Sequence, residues 1–546
     1  MARVSKLTVK GYRSIGAEIE VIFPKDKPLV LVGENNGGKS NVIRALNQML
    51  GQFSPAYHDP EDHEFYERDR SNVIDIAVHF DEDAPLADKW TEIRWVYDES
   101  KDRPSSLEGV WPGQFSTYLK SGEREMCSCM LIEAERNLKY QLSYSSKYTF
   151  LSRMMRHFHK SLSNQDDIKT ELKKLFEHTK SEFNKLPEFQ TFVQSLKEGL
   201  SDLVDCMTHK LEVDFEAYNP VNFFHALDLR ASENGEPRTL DEMGTGEQQV
   251  LAMAFAHAYA KAFHSGIMLV IEEPEAHLHP LAQRWLASRI NNMCEEGLQV
   301  VITTHNPAFI NILNLEGLVV VTKDDDGTDV MQIDREELVE HCVSLGVPEG
   351  TITAENVLPF YLANATREIL EGFFAKVVVL VEGPTESLSL PIYLDRSGLD
   401  TAKHGIAVIP VHGKGNLGKW RRLFDAYDIP CYVIFDNDGA ADDKKKTKRR
   451  DALAALGVVD QDEQDVYIDF EDLLVGETFA VFGSNFEEVL RAKFPTYENV
   501  EEQGRESGVD SKPFLARYVA EKIKKDNADG WKEMKSLANS LRELMA

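Results

Sequence analysis

A chain of 546 residues with 42% hydrophobic and 9% aromatic content can bury more than one core, and a prior of about 150 residues per domain suggests two to four units. No apolar run reaches the roughly 18 residues needed to span a bilayer, and six cysteines in so long a chain make no disulfide framework; Cys127 and Cys129 lack the second ligand pair of a zinc site. A net charge of −30 repels polyanions at long range, so a nucleic-acid partner must be held by local basic patches or through metal ions, and a cytoplasmic protein with reduced thiols is expected.

The first element with chemistry is "VLVGENNGGKS", a full match to G-x-x-x-x-G-K-[ST]. Val30 to Val32 end a strand, and the "SNVIRALNQML" helix points its N-terminus back at the loop. Gly33, Asn35, Asn36, Gly37 and Gly38 turn backbone N–H groups inward onto a phosphate; Lys39 can reach the β/γ oxygens and the Ser40 hydroxyl can ligate Mg²⁺. The bland alternative is an ordinary glycine-rich turn. His58 and His63 in the following loop read as solvated, and Gln52 is a weak candidate for a Q-loop.

From about 150 to 212 the texture is helical, with Leu172, Leu175, Phe176, Phe183, Phe192, Val193, Leu196 and Leu200 at three- or four-residue spacing. Heptads are not sustained, so a short hairpin or bundle is expected, either a plain subdomain or a dimerisation element. His157 and His159 read as surface residues. Gly244 and Gly246 then precede a helix, a second anion-binding start. The strand "GIMLVIEE" ends in two carboxylates: Glu272 is expected to hold the metal of a nucleotide site and Glu273 to orient the attacking water. A further strand sets His305 at its C-terminal end, placed to sense a γ-phosphate.

In this order the residues resemble the ABC-type ATPase heads of SMC and RecF-like repair proteins: Walker A at 33–40, signature at 244–249, Walker B at 267–273 and a switch histidine at 305. The resemblance implies ATP as cofactor and a homodimer or higher homo-oligomer, because the signature loop completes a neighbour's site. Glu272 in place of aspartate and "GTGEQQ" in place of "SGGQ" point to the soluble, DNA-related branch.

A second centre begins at "VVVLVEGPTES". Val377 to Val381 reads as a buried parallel strand ending in Glu382, and the helix behind it carries Glu386 to the same mouth. The strand "CYVIFDNDG" ends in Asp436 and Asp438, on one face by the period of two. Four acids converging at strand ends repel one another unless divalent cations lie between them, and oxygen ligands favour Mg²⁺ or Mn²⁺.

This pattern is similar to the topoisomerase-primase (Toprim) domain, and an ABC head followed by Toprim resembles the overcoming-lysogenisation-defect (OLD) family of nucleases, with Gabija-type nuclease subunits as relatives. The resemblance implies an α/β protein whose Toprim site is a two-metal DNA endonuclease, with a further acidic ligand and a lysine downstream; Glu471 and Asp472, and Lys512, are offered for those places. Lys512 would then steady charge on the phosphate. The basic runs Lys414 to Arg422 and Lys444 to Arg450 flank the site and read as DNA-backbone contacts. The expected layout is head at 1–149, helical insert at 150–212, head again at 213–355, Toprim at 356–480 and packing helices at 481–546. Antiviral defence, a helicase partner encoded nearby, and no membrane partner complete the expectation. The rival reading is an ATP-driven SMC- or RecF-like DNA clamp or sensor without nuclease activity.

Overall fold

The computed structural model describes residues 2–51, 53–111, 117–124, 126–133, 165–183, 185–187, 190, 231–233, 236–238, 246, 266–437 and 443–545. The chain divides into two compact units, Met1–Ala134 with His264–Ala546, and Glu135–Phe263 inserted between them. The inserted unit is wider on both sides than the 150–212 segment expected from helical periodicity.

The large unit opens with β1 (Val4–Lys10), β2 (Ile19–Ile22), β3 (Leu29–Val32) and helix α1 (Lys39–Leu50). β4 (Ile74–Phe80), β5 (Glu92–Tyr97), β6 (Ser105–Val110), β7 (Thr117–Tyr118) and β8 (Cys127–Ile132) follow. Strands β2-β1-β4-β5-β6-β7 form an antiparallel sheet whose apolar face covers α1, with Trp90, Trp95, Ile43 and Leu46 in the shared core. In the inserted unit, α2 (Asp166–Phe183) carries the expected apolar spacing, and β9 (Ala231–Glu233) pairs with β10 (Glu236–Arg238). Phe192, Val193, Leu196, Leu200, His157, His159 and Gly244 lie outside the described residues, as does Gln52 of the large unit.

The chain returns through β11 (Gly266–Glu272), α3 (Pro280–Glu295), β12 (Gln299–Thr303), β13 (Leu318–Asp324), β14 (Gly327–Gln332) and α4 (Arg335–Ser344). The sheet order β14-β13-β3-β12-β11-β8 is parallel except for the β13–β14 hairpin. It sets the P-loop strand one strand from β12 and two from β11, with all their carboxyl ends on one edge.

The second sheet contains β15 (Val377–Val381), β16 (Ile406–Pro410), β17 (Cys431–Asp436), β18 (Leu473–Val475) and β19 (Phe479–Phe482), ordered β16-β15-β17-β19-β18. Every residue of β15 is buried, which is why it reads as an unbroken apolar run. Helices α5 (Pro384–Arg396), α6 (Leu417–Ala426) and α7 (Asp443–Ala454) connect the strands; α8 (Phe486–Lys493), α9 (Tyr497–Glu506), α10 (Lys512–Lys522) and α11 (Asp529–Glu543) follow. Leu490, Val519, Trp531 and Leu537 of these last helices join Val377, Val379 and Ile434 in one core, each buried side chain contributing about 1.5–3 kcal/mol. The chain leaves β15 to one side for β16 and crosses to the other for β17. That reversal opens a crevice between the carboxyl ends of β15 and β17, where open α/β sheets hold their ligands.

Head and second sheet meet directly within the large unit. Arg422 donates to the Leu345 carbonyl at 2.9 Å, His341 and Asp425 lie 3.0 Å apart, and Lys376, one residue before β15, pairs with Glu34 of the P-loop at 3.2 Å.

Candidate active sites

The first site forms where the P-loop leaves β3. Gly33 has φ +126° and a Cβ there would stand 2.2 Å from the Val321 carbonyl oxygen; Gly38, at φ +109°, would put one 2.2 Å from Thr328 Oγ1. Only glycine fits at either position. Thr328 Oγ1 donates to the Gly37 carbonyl and contacts Ser14 Oγ at 2.7 Å, and Asn41 Nδ2 donates to Ser14 Oγ, so the loop is braced against its neighbours. Asn35, Asn36 and Ser40 are exposed at its rim, and Asn36 takes a left-handed φ of 67°. Lys39 is buried and folded onto the loop, Nζ donating to the Gly33 and Glu34 carbonyls at 2.9 and 2.6 Å. Burial pulls its ammonium down to about 8, against the charges of Glu273, Glu34 and Glu275.

Glu272 ends β11 in register with Thr303, and Glu273 turns out of the strand at φ 45° with its N–H on the Thr303 carbonyl at 2.9 Å. His305 stands at the next strand end; burial and the Lys39 charge lower its pKa while Glu273 opposes them, which places the three groups in one electrostatic neighbourhood. Glu275 was not anticipated. Its Oε1 accepts from the His305 N–H at 2.7 Å and from Thr304 Oγ1 at 2.8 Å, fixing the loop that carries the histidine. Burial raises the Glu275 pKa. Gly246 is helical and buried in the inserted unit.

The second site lies in the crevice between β15 and β17. The Asp436 N–H donates to Glu382 Oε1 at 2.9 Å, so the two strand ends are tied carboxylate to backbone. Glu386, in the first turn of α5, is 8% exposed and accepts the Gly383 N–H at 3.0 Å. The Phe486 N–H donates to Asp436 Oδ2 at 3.2 Å. Burial, then Glu382 and Glu487, push the Glu386 carboxyl up to about 7; burial, then Glu382 and Glu386, drive Asp436 well above its ordinary value. The donors are all oxygen, and their mutual repulsion in a half-buried crevice is what divalent cations relieve, so Glu382, Glu386 and Asp436 fit that group. Among the described residues no three His, Cys, Asp or Glu side chains are gathered closely enough to hold a cation by themselves, and Asp438 lies outside the described residues.

Lys512 pairs with Glu487 at 2.9 Å. Against burial, the Glu487 hydrogen bond and the charges of Glu487, Glu386 and Asp436 hold its ammonium above the ordinary lysine value, so the lysine reaches the cluster through Glu487. Glu487 had no distinguishing signal in the sequence, where it is one of two acids opening a helix. Glu471 and Asp472 are exposed, and no described contact joins them to Glu382, Glu386 or Asp436. Asp472 pairs with Lys493 at 2.7 Å. It precedes β18, two strands beyond β17, which at about 4.8 Å per strand leaves it about 10 Å to the side.

The basic runs differ from expectation. Lys414, Arg422 and Arg449 are buried, Arg422 and Arg449 at 1% and 2% exposure. Arg449 donates to the Asn437 carbonyl at 2.8 Å, bracing the turn behind Asp436, and Arg421 and Arg450 pair with Asp425 and Asp465. Lys414, Arg422 and Arg449 are therefore internal scaffolding, while Lys419 and Lys448 are exposed.

Among the described residues no helix is long and apolar enough to cross a membrane. The sequence matches the family described as "AAA ATPase domain" over residues 3–108 and 85–310, and "Overcoming lysogenization defect protein-like, TOPRIM domain" over 373–438. It is 26% identical over 454 residues to an OLD nuclease of Thermus scotoductus, covering 80% of this chain and 82% of that one. To the Old nuclease of Escherichia phage P2 it is 21% identical, covering 80% and 77%. To the endonuclease GajA of Bacillus cereus it is 26% identical over 34% of this chain and 28% of that one. The AAA ATPase domain fills more than half of the chain and makes this protein a member of that family, with an OLD-like Toprim domain behind it, the order of domains expected for the OLD nucleases it resembles.

Proposed function

We propose that this protein is an ATP-binding, divalent-metal-dependent DNA endonuclease that cuts phosphodiester bonds in the Toprim crevice. The observation that carries the reading is the group of buried Glu386 and half-buried Glu382 and Asp436 between the ends of β15 and β17, with Lys512 brought to it through Glu487. The nuclease names of its relatives support it.

When bound, Mg²⁺ or Mn²⁺ would supply an activated water and charge stabilisation for the leaving 3′ oxygen. Glu382, Glu386, Asp436 and Asp438 would hold the ions. Lys512 offers an ammonium beside them for the charge that develops on the phosphate. In the head, Lys39 would grip the β/γ oxygens of ATP, Ser40 and Glu272 would hold its Mg²⁺, Glu273 would orient water and His305 would sense the γ-phosphate. Gly244 and Gly246 complete the site of a second copy, so the working unit is at least a homodimer. ATP regulates cutting, and the setting is cytoplasmic antiviral defence or DNA processing, alone or beside a helicase.

The test is supercoiled plasmid with Mg²⁺ or Mn²⁺. Wild type cuts, whereas Asp436→Ala abolishes cutting and leaves ATP hydrolysis largely intact, because the two chemistries occupy separate sheets. Persistent cutting by a clean Asp436→Ala preparation ends the Toprim assignment; ATPase activity in a wild type that never cuts favours the clamp reading.

A further inference from the structure

We propose that Lys414 is a positioning residue of the Toprim site, whose ammonium locks the Glu382 carboxylate to the Asp436 strand end so that cations meet ligands already in place. The proposal rests on the metal-site reading above. Sequence reading placed Lys414 among surface cations for DNA, but it is 6% exposed. Its Nζ donates to the Asp436 carbonyl and lies 3.2 Å from Glu382 Oε1, the oxygen that also accepts the Asp436 N–H. One carboxylate oxygen is thereby held by two donors from two elements, and the ammonium bridges both sides of the crevice.

The loop is built to bring it there. His412 and Gly413 both take positive φ, 57° and 128°, reversing the chain directly after β16. The Gly413 N–H donates to the Glu382 carbonyl at 2.9 Å, and Asn416 Nδ2 closes the turn on the Val411 carbonyl at 2.9 Å. The loop is therefore fastened to Glu382 through main chain and side chain at once. Burying an ammonium is costly unless carboxylates and carbonyls satisfy it, and here they belong to the two strand ends that must stay in register. Groups that orient metal ligands change affinity by about 10–100-fold when removed.

The experiment titrates nucleotide-free full-length protein with Mn²⁺, reading free Mn²⁺ by electron paramagnetic resonance, alongside melting temperature, ATPase activity and plasmid cutting. Asp436→Ala defines the Toprim-bound Mn²⁺. Lys414→Met is expected to weaken that binding about 10–100-fold, with melting temperature and ATPase activity retained and cutting restored toward wild type at saturating Mn²⁺. Lys414→Gln, which keeps a donor without the charge, should fall between, and it carries the comparison if Lys414→Met does not fold. Mn²⁺ affinity in Lys414→Met equal to or tighter than wild type overturns the proposal; a tighter value means that the ammonium competes for the cation's place. If wild type and Asp436→Ala take up Mn²⁺ alike, the metal-site reading itself falls, and the proposal with it.

Discussion

Glu386 carries a cost in the metal-free protein that can be measured. Its carboxyl is raised from 4.5 to about 7 by burial and by Glu382 and Glu487. At about 1.4 kcal/mol per tenfold change in proton affinity, keeping it ionised in the folded chain costs up to about 3 kcal/mol. Below 4.5 it is protonated in folded and unfolded chains alike and costs nothing; above about 7 it is ionised in both, and the folded state bears the full cost. Stability is therefore lost as pH rises through that window. Glu386→Gln keeps an acceptor for the Gly383 N–H but removes the charge, so it should stabilise the Toprim domain at pH 8 and change it little at pH 4.5. For a domain of this size about 3 kcal/mol is about 6–12 °C in melting temperature. Calorimetry of the full chain in EDTA at both pH values measures it, and Mn²⁺ at pH 8 should raise the wild-type transition more than that of the variant. Equal melting temperatures at pH 8, or an equal gain at both pH values, would refute the account of a charge-frustrated crevice.

Two further predictions concern the head. Glu273→Gln should retain ATP binding while slowing hydrolysis by about 10²–10⁴-fold, read as steady-state phosphate release beside equilibrium nucleotide binding; unchanged turnover would move the base elsewhere. Glu275→Ala removes the acceptor of both Thr304 Oγ1 and the His305 N–H. It should lower kcat for ATP by about 10–100-fold with KM little altered, and an effect confined to KM would assign Glu275 to binding instead.

The P-loop, the strand-end acids Glu272 and Glu273, and the Toprim strands were legible because each is local: an apolar run followed within a few residues by the groups it presents. The pairing of Glu382 with Asp436 was legible only as chemistry, from two strand ends with the same signature. Glu487 was not, since acids in the first turn of a helix are favoured for their effect on the helix dipole and carry no mark of a site. The resemblance put Glu471 and Asp472 forward, and they stand just before β18, two strands out from β17. Charge density along a chain does not say which side of a helix is covered: Arg422 and Arg449 turn inward to serve carbonyls, while Lys419 and Lys448 of the same helices stay exposed.

Glu34 is held from two directions, its carbonyl by Lys39 and its carboxylate by Lys376, one residue ahead of the strand that delivers Glu382. The pair is partly exposed, and such pairs contribute at most about 1 kcal/mol. Its importance lies in where it sits: β15, five residues and about 17 Å long, runs from the residue beside that pair to the crevice proposed for cutting. Thermodynamic linkage makes any conversation along that strand symmetrical. Whatever free energy nucleotide loading adds to or takes from cation binding at the far end must return unchanged as a shift in nucleotide affinity when the cation binds, so each centre can be read from the other.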